Sequence, residues 1–338
     1  MTHPSTWGKA ALLSVIFGLT GSWAQAQDTI KVGLLRLTSH SPSIIAQGKG
    51  YFAKQNLKVE FVTFQAAQPM AVAIASGDVD FGVTAISASL LNLAEKDVVR
   101  IIGGALTESA GIDGQKILVS KAAYDAGVTT PAALKGRTFG VTTAGSSFHY
   151  MAHKIADKEG FARSAIQIKP LQKVPAVIAA LKSSQIDAWS IVPNIAGGLA
   201  KGGEIRVIGR VSDYIDGYQV TTIFTSKKNA TQRRDLVQRF LAAFEQGVDT
   251  YNKALVYKKL PANETEAIVK MVHEYVYADQ PFEKAGPRIQ AGAMLISPRG
   301  ELNMASVRDQ LAWFQSEGMV SKDLKIEQVV DTSFVKTK

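Results

Sequence analysis

The chain has 338 residues, a net charge of +9, 46% hydrophobic residues and no cysteine. That is enough apolar material for one large or two ordinary domains. The lack of cysteine excludes disulfides, thiolate metal sites, cysteine nucleophiles and a lipid-bearing cysteine, and the basic residues scatter without the clustered stripe of a nucleic-acid binder.

Residues 1–26 read as a secretory leader. Lys9 gives a positive start, Ala10 to Gly21 is a short apolar run, and Ala24-Gln25-Ala26 is a small-residue cleavage site. The run is too short to span a bilayer. The expectation is a free periplasmic protein without a lipid anchor.

Thr29 to Leu35 is the first predicted strand. It runs into Arg36-Leu37-Thr38-Ser39-His40-Ser41-Pro42, where Ser41 is placed to cap a helix with Pro42 at its first position. Leu57 to Phe64 is the second strand. Gln65 to Ser89 then reads as helix, turn, strand and loop. Ala71, Val72, Ile74 and Ala75 supply an apolar helix face, and Gly77 stands at a C-terminal cap. Residues 79–83 form a strand, and Thr84-Ala85-Ile86-Ser87 sets small groups before another helix. In an open parallel sheet such a loop is where ligands sit. Val98 to Gly104 makes a further strand.

The same plan recurs. Gln65 to Asp80 and Gln172 to Asp187 have equal length at an offset of 107 residues, and Val59-Glu60-Phe61 matches Ile166-Gln167-Ile168 at that offset. IKVGLLRLTSHSP and RTFGVTTAGSSFH are both strand, polar loop and helix start. Two copies are too few for a solenoid and fit two similar α/β lobes. Gly111 to Gly114 and Tyr214 to Tyr218 read as the crossings between them. Beyond Val220 to Thr225 the chain turns helical. Leu236, Phe240, Phe244, Val248 and Tyr251 form a packing stripe, Asn263 with Glu266 signals a helix start, and Val307, Leu311 and Phe314 stripe a last helix.

No nucleotide-binding glycine motif occurs. Gly145-Ser146-Ser147-Phe148-His149 is half of a nucleophile elbow without its second glycine. His149 and His153 could share a helix face, but the pair lacks a third ligand and an intervening Glu. What remains is a set of hydroxyl-rich loops, each before a helix: Thr38-Ser39-His40-Ser41, Thr84-Ala85-Ile86-Ser87 and Gly145-Ser146-Ser147. Free N–H groups at helix starts bind anions without side-chain charge, although plain helix capping uses the same geometry. Arg36, His40 and His149 could add positive charge. Trp189 could stack on a planar ligand or pack as a wall.

Four segments carry a family resemblance: Gly48-Lys49-Gly50-Tyr51-Phe52 with Leu57-Lys58-Val59-Glu60, Ala75 to Gly82, Leu134 to Val141, and Val330 to Phe334. In this order the chain resembles the periplasmic solute-binding proteins of ABC importers in the nitrate/sulfonate/taurine, NMT1/THI5-like group. The resemblance implies a two-lobe α/β fold of the type II-like periplasmic-binding kind, each lobe a mixed sheet flanked by helices, with ligand in the cleft. Lobe 1 would comprise residues 27–112 and 217–338, and lobe 2 residues 113–216. The implied pocket loops give Thr38, Ser39, His40, Gln65, Ala66, Thr84, Ala85, Ser87, Ser146, Ser147, Phe148, His149, Trp189 and Asn194, to which the reading of the residues adds Arg36, with no catalytic residue, metal or cofactor.

The expected function is capture of a small organic anion, a carboxylate or sulfonate and possible aromatic, for a permease and an ATPase on other chains. The partners are thus a small solute and those chains, with no nucleic acid, and the protein is expected to be a monomer. A pyrimidine or thiamine-precursor ligand is the runner-up. A pyrimidine-synthase-like enzyme is opposed by zero cysteine and the leader. A receptor-docked sensing module differs from transport only in its partner.

Overall fold

The computed structural model describes residues 1–3, 27–109 and 111–337. The expected leader therefore lies outside the described residues beyond its first three. Ten strands run β1 Asp28–Leu35, β2 Leu57–Phe64, β3 Phe81–Ala85, β4 Val99–Gly104, β5 Lys116–Ser120, β6 Thr138–Val141, β7 Gln167–Pro170, β8 Ala188–Ile191, β9 Ile205–Arg210 and β10 Thr221–Ser226. They form two five-stranded sheets, ordered β2-β1-β3-β10-β4 and β7-β6-β8-β5-β9. In the first, β1 is parallel to β2 and β3, while β10 is antiparallel to β3 and β4. In the second, β6 is parallel to β7 and β8, while β5 is antiparallel to β8 and β9. The two plans are the same. Each sheet takes its antiparallel strand from the segment just after a crossing.

The helices of eight or more residues are α1 Ser41–Gly48, α2 Ala67–Ser76, α3 Ala88–Glu95, α4 Ser147–Glu159, α5 Val174–Lys182, α6 Pro193–Lys201, α7 Arg234–Tyr251, α8 Ala262–His273, α9 Phe282–Ala291 and α10 Met304–Ser316. The repeat seen in the sequence aligns α2 with α5 and β3 with β8. Gly77 ends α2 in the left-handed conformation, φ 83°, as a helix cap without a Cβ penalty. The stripe on α7 is buried, and Phe240 stacks on Phe81 with ring centroids 3.9 Å apart. That contact seats α7 on the first sheet through apolar burial.

Three local expectations are corrected. The chain turns helical at Thr38–His40, a 3-10 turn that runs straight into α1, so Ser41 lies inside the helix and its Oγ is buried without a partner. The third strand begins at Phe81 rather than Val79. Asn263 lies inside α8, which starts from Pro261 as its N-cap: proline fixes an entry angle that Asn263 was expected to set.

The crossings pair with each other. Glu108 N–H donates to Tyr218 O at 2.9 Å, Val220 N–H donates to Leu106 O at 2.9 Å, and Thr107 bridges Gln219. Fully buried Gln219 ties this ribbon to the start of α10: its N–H donates to Ser306 Oγ at 2.9 Å, and its Oε1 accepts from Asn303 N–H at 3.1 Å.

Candidate functional site

The carboxyl ends of β1, β3, β6 and β8 converge on one cavity of about 60 Å³. The loop after β1 gives Leu37, Ser39 and His40, the end of β3 gives Thr84 and Ala85, and the loop after β6 gives Thr142, Ser146, Ser147 and Phe148. Ile191 and Val192 come from β8 and its loop, Ala66, Ala67 and Val174 from the starts of α2 and α5, and Leu106, Gln115, Val220 and Thr221 from the crossings. The volume holds on the order of five water-sized groups. Among the described residues the wall contains no Lys, Arg, Asp or Glu.

Two lining residues carry donors that matter here. Nδ1 of His40 accepts the N–H of Leu35 at 3.3 Å, so the neutral ring carries its proton on Nε2. Complete burial pushes the His40 pKa down to about 3, which keeps the ring neutral. Ser146 is the N-cap of α4, yet its hydroxyl makes no capping bond, is buried, and has no partner. The next two residues, Ser147 and Phe148, begin the helix and line the cavity. Their N–H groups lie in the first turn, where no intrahelical acceptor exists and the helix dipole is positive.

The lobes meet around the cavity. Ala88 N–H, at the start of α3, donates to Gly145 O at 2.9 Å, and Val174 N–H donates to Gln65 O at 3.4 Å. Asn194 Nδ2 reaches Tyr277 Oη at 2.8 Å and Thr38 Oγ1 at 3.4 Å.

Eight of the expected residues line the cavity: Ser39, His40, Ala66, Thr84, Ala85, Ser146, Ser147 and Phe148. The other seven do not. Arg36 is exposed at the tip of a tight turn just past β1, where Leu37 N–H donates to Leu35 O at 2.8 Å and both leucines line the cavity. Gln65 is exposed and contributes only its carbonyl to the seam. Thr38 and Asn194 spend their side chains on the seam, and Ser87 caps α3, accepting from Leu90 N–H at 3.3 Å. Trp189 is fully buried in the second lobe, behind Phe148 at a centroid distance of 5.4 Å, while Ile191, two residues nearer the carboxyl end of β8, lines the cavity.

His149 also stands behind the wall. Its Nδ1 accepts from Gly145 N–H at 3.2 Å, and its Nε2 lies 3.0 Å from Nε2 of His153. Only one proton fits between those nitrogens, and the Gly145 bond places it on His149. Trp313 of α10 meets both rings edge to face, and His153 Nδ1 faces Glu317 Oε1 at 3.5 Å. Burial lowers the pKa of both, that of His149 to about 4 with the charge of His153 as a second cause. No cluster of three or more metal-ligating side chains occurs among the described residues.

Sequence reasoning missed the apolar wall and the crossing residues Leu106, Gln115, Val220 and Thr221. Gln115 directly follows the glycine-rich segment read as a hinge, and that adjacency was the available signal.

Comparison with known proteins matches this architecture. A Bacillus subtilis (strain 168) protein, provisionally named an aliphatic sulfonates-binding protein, is 27% identical over 97% of this chain and 96% of its own. The alkanesulfonate-binding protein SsuA from Xanthomonas axonopodis pv. citri, bound to MOPS, shares the fold with a TM-score of 0.69 at 18% identity, over 93% of this chain and 100% of that one. The nitrate-binding protein NrtA from Synechocystis PCC 6803 gives 0.72 at 15% identity, over 90% and 86%. The fold also occurs in a desulfurization enzyme, DSZB, with a TM-score of 0.58 at 14% identity, over 91% and 97%. A family model described as NMT1/THI5 like matches residues 37–253, most of the chain, and the protein belongs to the NMT1/THI5-like family.

Proposed function

We propose that this protein is the solute-binding component of an ABC importer, capturing a small organic monoanion, a carboxylate or sulfonate, and passing it to a membrane permease. The observation that carries this reading is the unpartnered, buried Ser146 hydroxyl at the start of α4, a residue of an interlobe cavity wall that also includes neutral His40. A carboxylate or sulfonate oxygen there would accept charge-assisted hydrogen bonds. Leu35, Leu37, Leu106 and Val220 offer an apolar face to a short aliphatic body. The sulfonate- and nitrate-binding relatives support the anion class.

The same reading makes residues 27–112 with 217–338 one lobe and 113–216 the other, closing about the paired crossings. Ligand that bridges both lobes favours the closed state through contacts the open state lacks. The reading includes a binding rather than catalytic role, a periplasmic location, and a permease and an ATPase on other chains. No helix among the described residues is long and apolar enough to cross a membrane. A pyrimidine ligand finds less support, since Phe148 is the one aromatic ring on the described wall besides His40.

A thermal-shift screen against small carboxylates, sulfonates, inorganic anions and pyrimidines tests the proposal. A ligand at 100 times its Kd adds about 2.7 kcal/mol of stability. A rise confined to short organic monoanions is the expected result. A rise with pyrimidines alone, or turnover of a candidate substrate, would overturn it.

A further inference from the structure

Gln115 lines the cavity and turns its amide nitrogen away to Glu108. Its backbone N–H and its side-chain Nε2 both donate to Oε1 of Glu108, at 3.1 and 3.2 Å. With the amide nitrogen held by Glu108, the carbonyl oxygen of the same amide is the acceptor that this residue can offer to the cavity. The orientation is forced. Glu108 Oε1 already accepts the backbone N–H, so a flipped amide would set oxygen against oxygen.

Glu108 is itself fixed in place. It is 2% exposed, and its backbone N–H donates to Tyr218 O at 2.9 Å. A Cβ on Gly114 would lie 2.0 Å from its Oε2, so the chain wraps closely around the carboxyl group. A buried carboxyl group costs stability unless its hydrogen bonds are met. Here the bonds it receives from side chain and backbone both come from Gln115.

We propose that Gln115 is a specificity-determining residue, oriented by Glu108 as a positioning residue, and that the ligand carries a hydroxyl group beside its acid group. The ligand class is then a short hydroxycarboxylate or hydroxyalkanesulfonate. This rests on the anion-capture reading above. The acid group takes the donors of His40 and Ser146, and the hydroxyl donates to Gln115. An ammonium group would also donate, but it brings a full charge into a wall whose described residues include no carboxylate.

The test is calorimetric titration of the purified protein with two matched pairs: ethanesulfonate against 2-hydroxyethanesulfonate, and propanoate against 2-hydroxypropanoate. In each pair the hydroxylated member binds at least about tenfold more tightly, because the plain acid leaves a buried acceptor unpaired. Gln115→Leu and Gln115→Met, two variants in case one fails to fold, bring that ratio to about one. Glu108→Gln lowers it, since a Gln at 108 no longer forces the orientation of the neighbouring amide. A general loss of packing would weaken both members of a pair alike and leave the ratio intact. Equal or tighter binding of the plain acids by the unaltered protein overturns the inference and leaves anion capture standing. A preference that survives both Gln115 variants also overturns it. Failure of all four acids to bind overturns the inference together with the reading beneath it.

Discussion

Ala88 and Gly145 touch across the cleft: the N–H of Ala88 donates to the carbonyl oxygen of Gly145 at 2.9 Å, and a Cβ on Gly145 would lie 2.6 Å from the Cβ of Ala88. Gly145 also has φ +72°, a conformation that side chains disfavour. The closed arrangement therefore depends on a residue without a side chain at this point. Gly145→Val should weaken ligand binding by tenfold or more, because the closed state is the one that holds ligand. Small-angle scattering with saturating ligand should show a larger radius than the unaltered protein. Unchanged affinity and radius would show that this contact does not secure closure.

Trp189 supports the cavity without reaching it. The indole is fully buried behind Phe148, and its Nε1 has no hydrogen-bond partner. Trp189→Ala should cost about 3–5 kcal/mol of folding stability, the usual range for removing a large core side chain. Trp189→Phe should cost less and leave affinity within about threefold, since the lost N–H made no bond. A selective loss of affinity in Trp189→Phe, with unchanged melting, would return the ring to the binding surface.

Three buried imidazoles give the protein an acid-sensitive stability. Burial depresses the pKa of His40 to about 3, that of His149 to about 4, and that of His153 as well. A depressed folded-state pKa gives stability that is complete above the unfolded value near 6.5 and is lost as pH falls toward the folded value. Between pH 6.5 and 5, His40 alone accounts for roughly 2 kcal/mol. Glu108 acts in the opposite sense: burial raises its pKa, so its contribution is complete below the ordinary carboxylate value and declines as pH rises. Three imidazoles thus act against one carboxyl group below pH 6.5. The melting temperature should fall from pH 6.5 to 5, and His40→Asn should make that fall shallower. An unchanged slope in the variant would mean that His40 is not held neutral.

The fold was readable because the chain states its plan twice. Each copy runs from an edge strand through a helix to a buried strand, and the matched pieces became the same positions in two sheets. Helix starts rich in Ser and Thr marked Ser39, Thr84, Ser146 and Ser147 on the wall. The remainder depended on tertiary placement. Arg36 invited a role in anion binding, yet the tight turn after β1 leaves it exposed between Leu35 and Leu37. Trp189 sits too far back along β8, where Phe148 stands between it and the cavity. Gln115 and Thr221 reach the cavity only because the two crossings pair, and that contact joins residues about a hundred positions apart.

Ser146 separates binding from folding more cleanly than any other wall residue. Its hydroxyl is buried, caps nothing, and has no partner, so the folded protein loses no hydrogen bond when the oxygen is removed. Ser146→Ala should leave the melting temperature without ligand unchanged or slightly raised, since an unpaired buried polar group is destabilising. The anion should lose about 1.5–3 kcal/mol of binding free energy, the typical worth of a hydrogen bond to a charged group. Calorimetry and melting on the same preparation read both quantities. Full affinity in Ser146→Ala would remove the α4 start from the anion site and leave His40 as the donor to test next. Lost affinity with lowered melting would instead mark the hydroxyl as part of the fold.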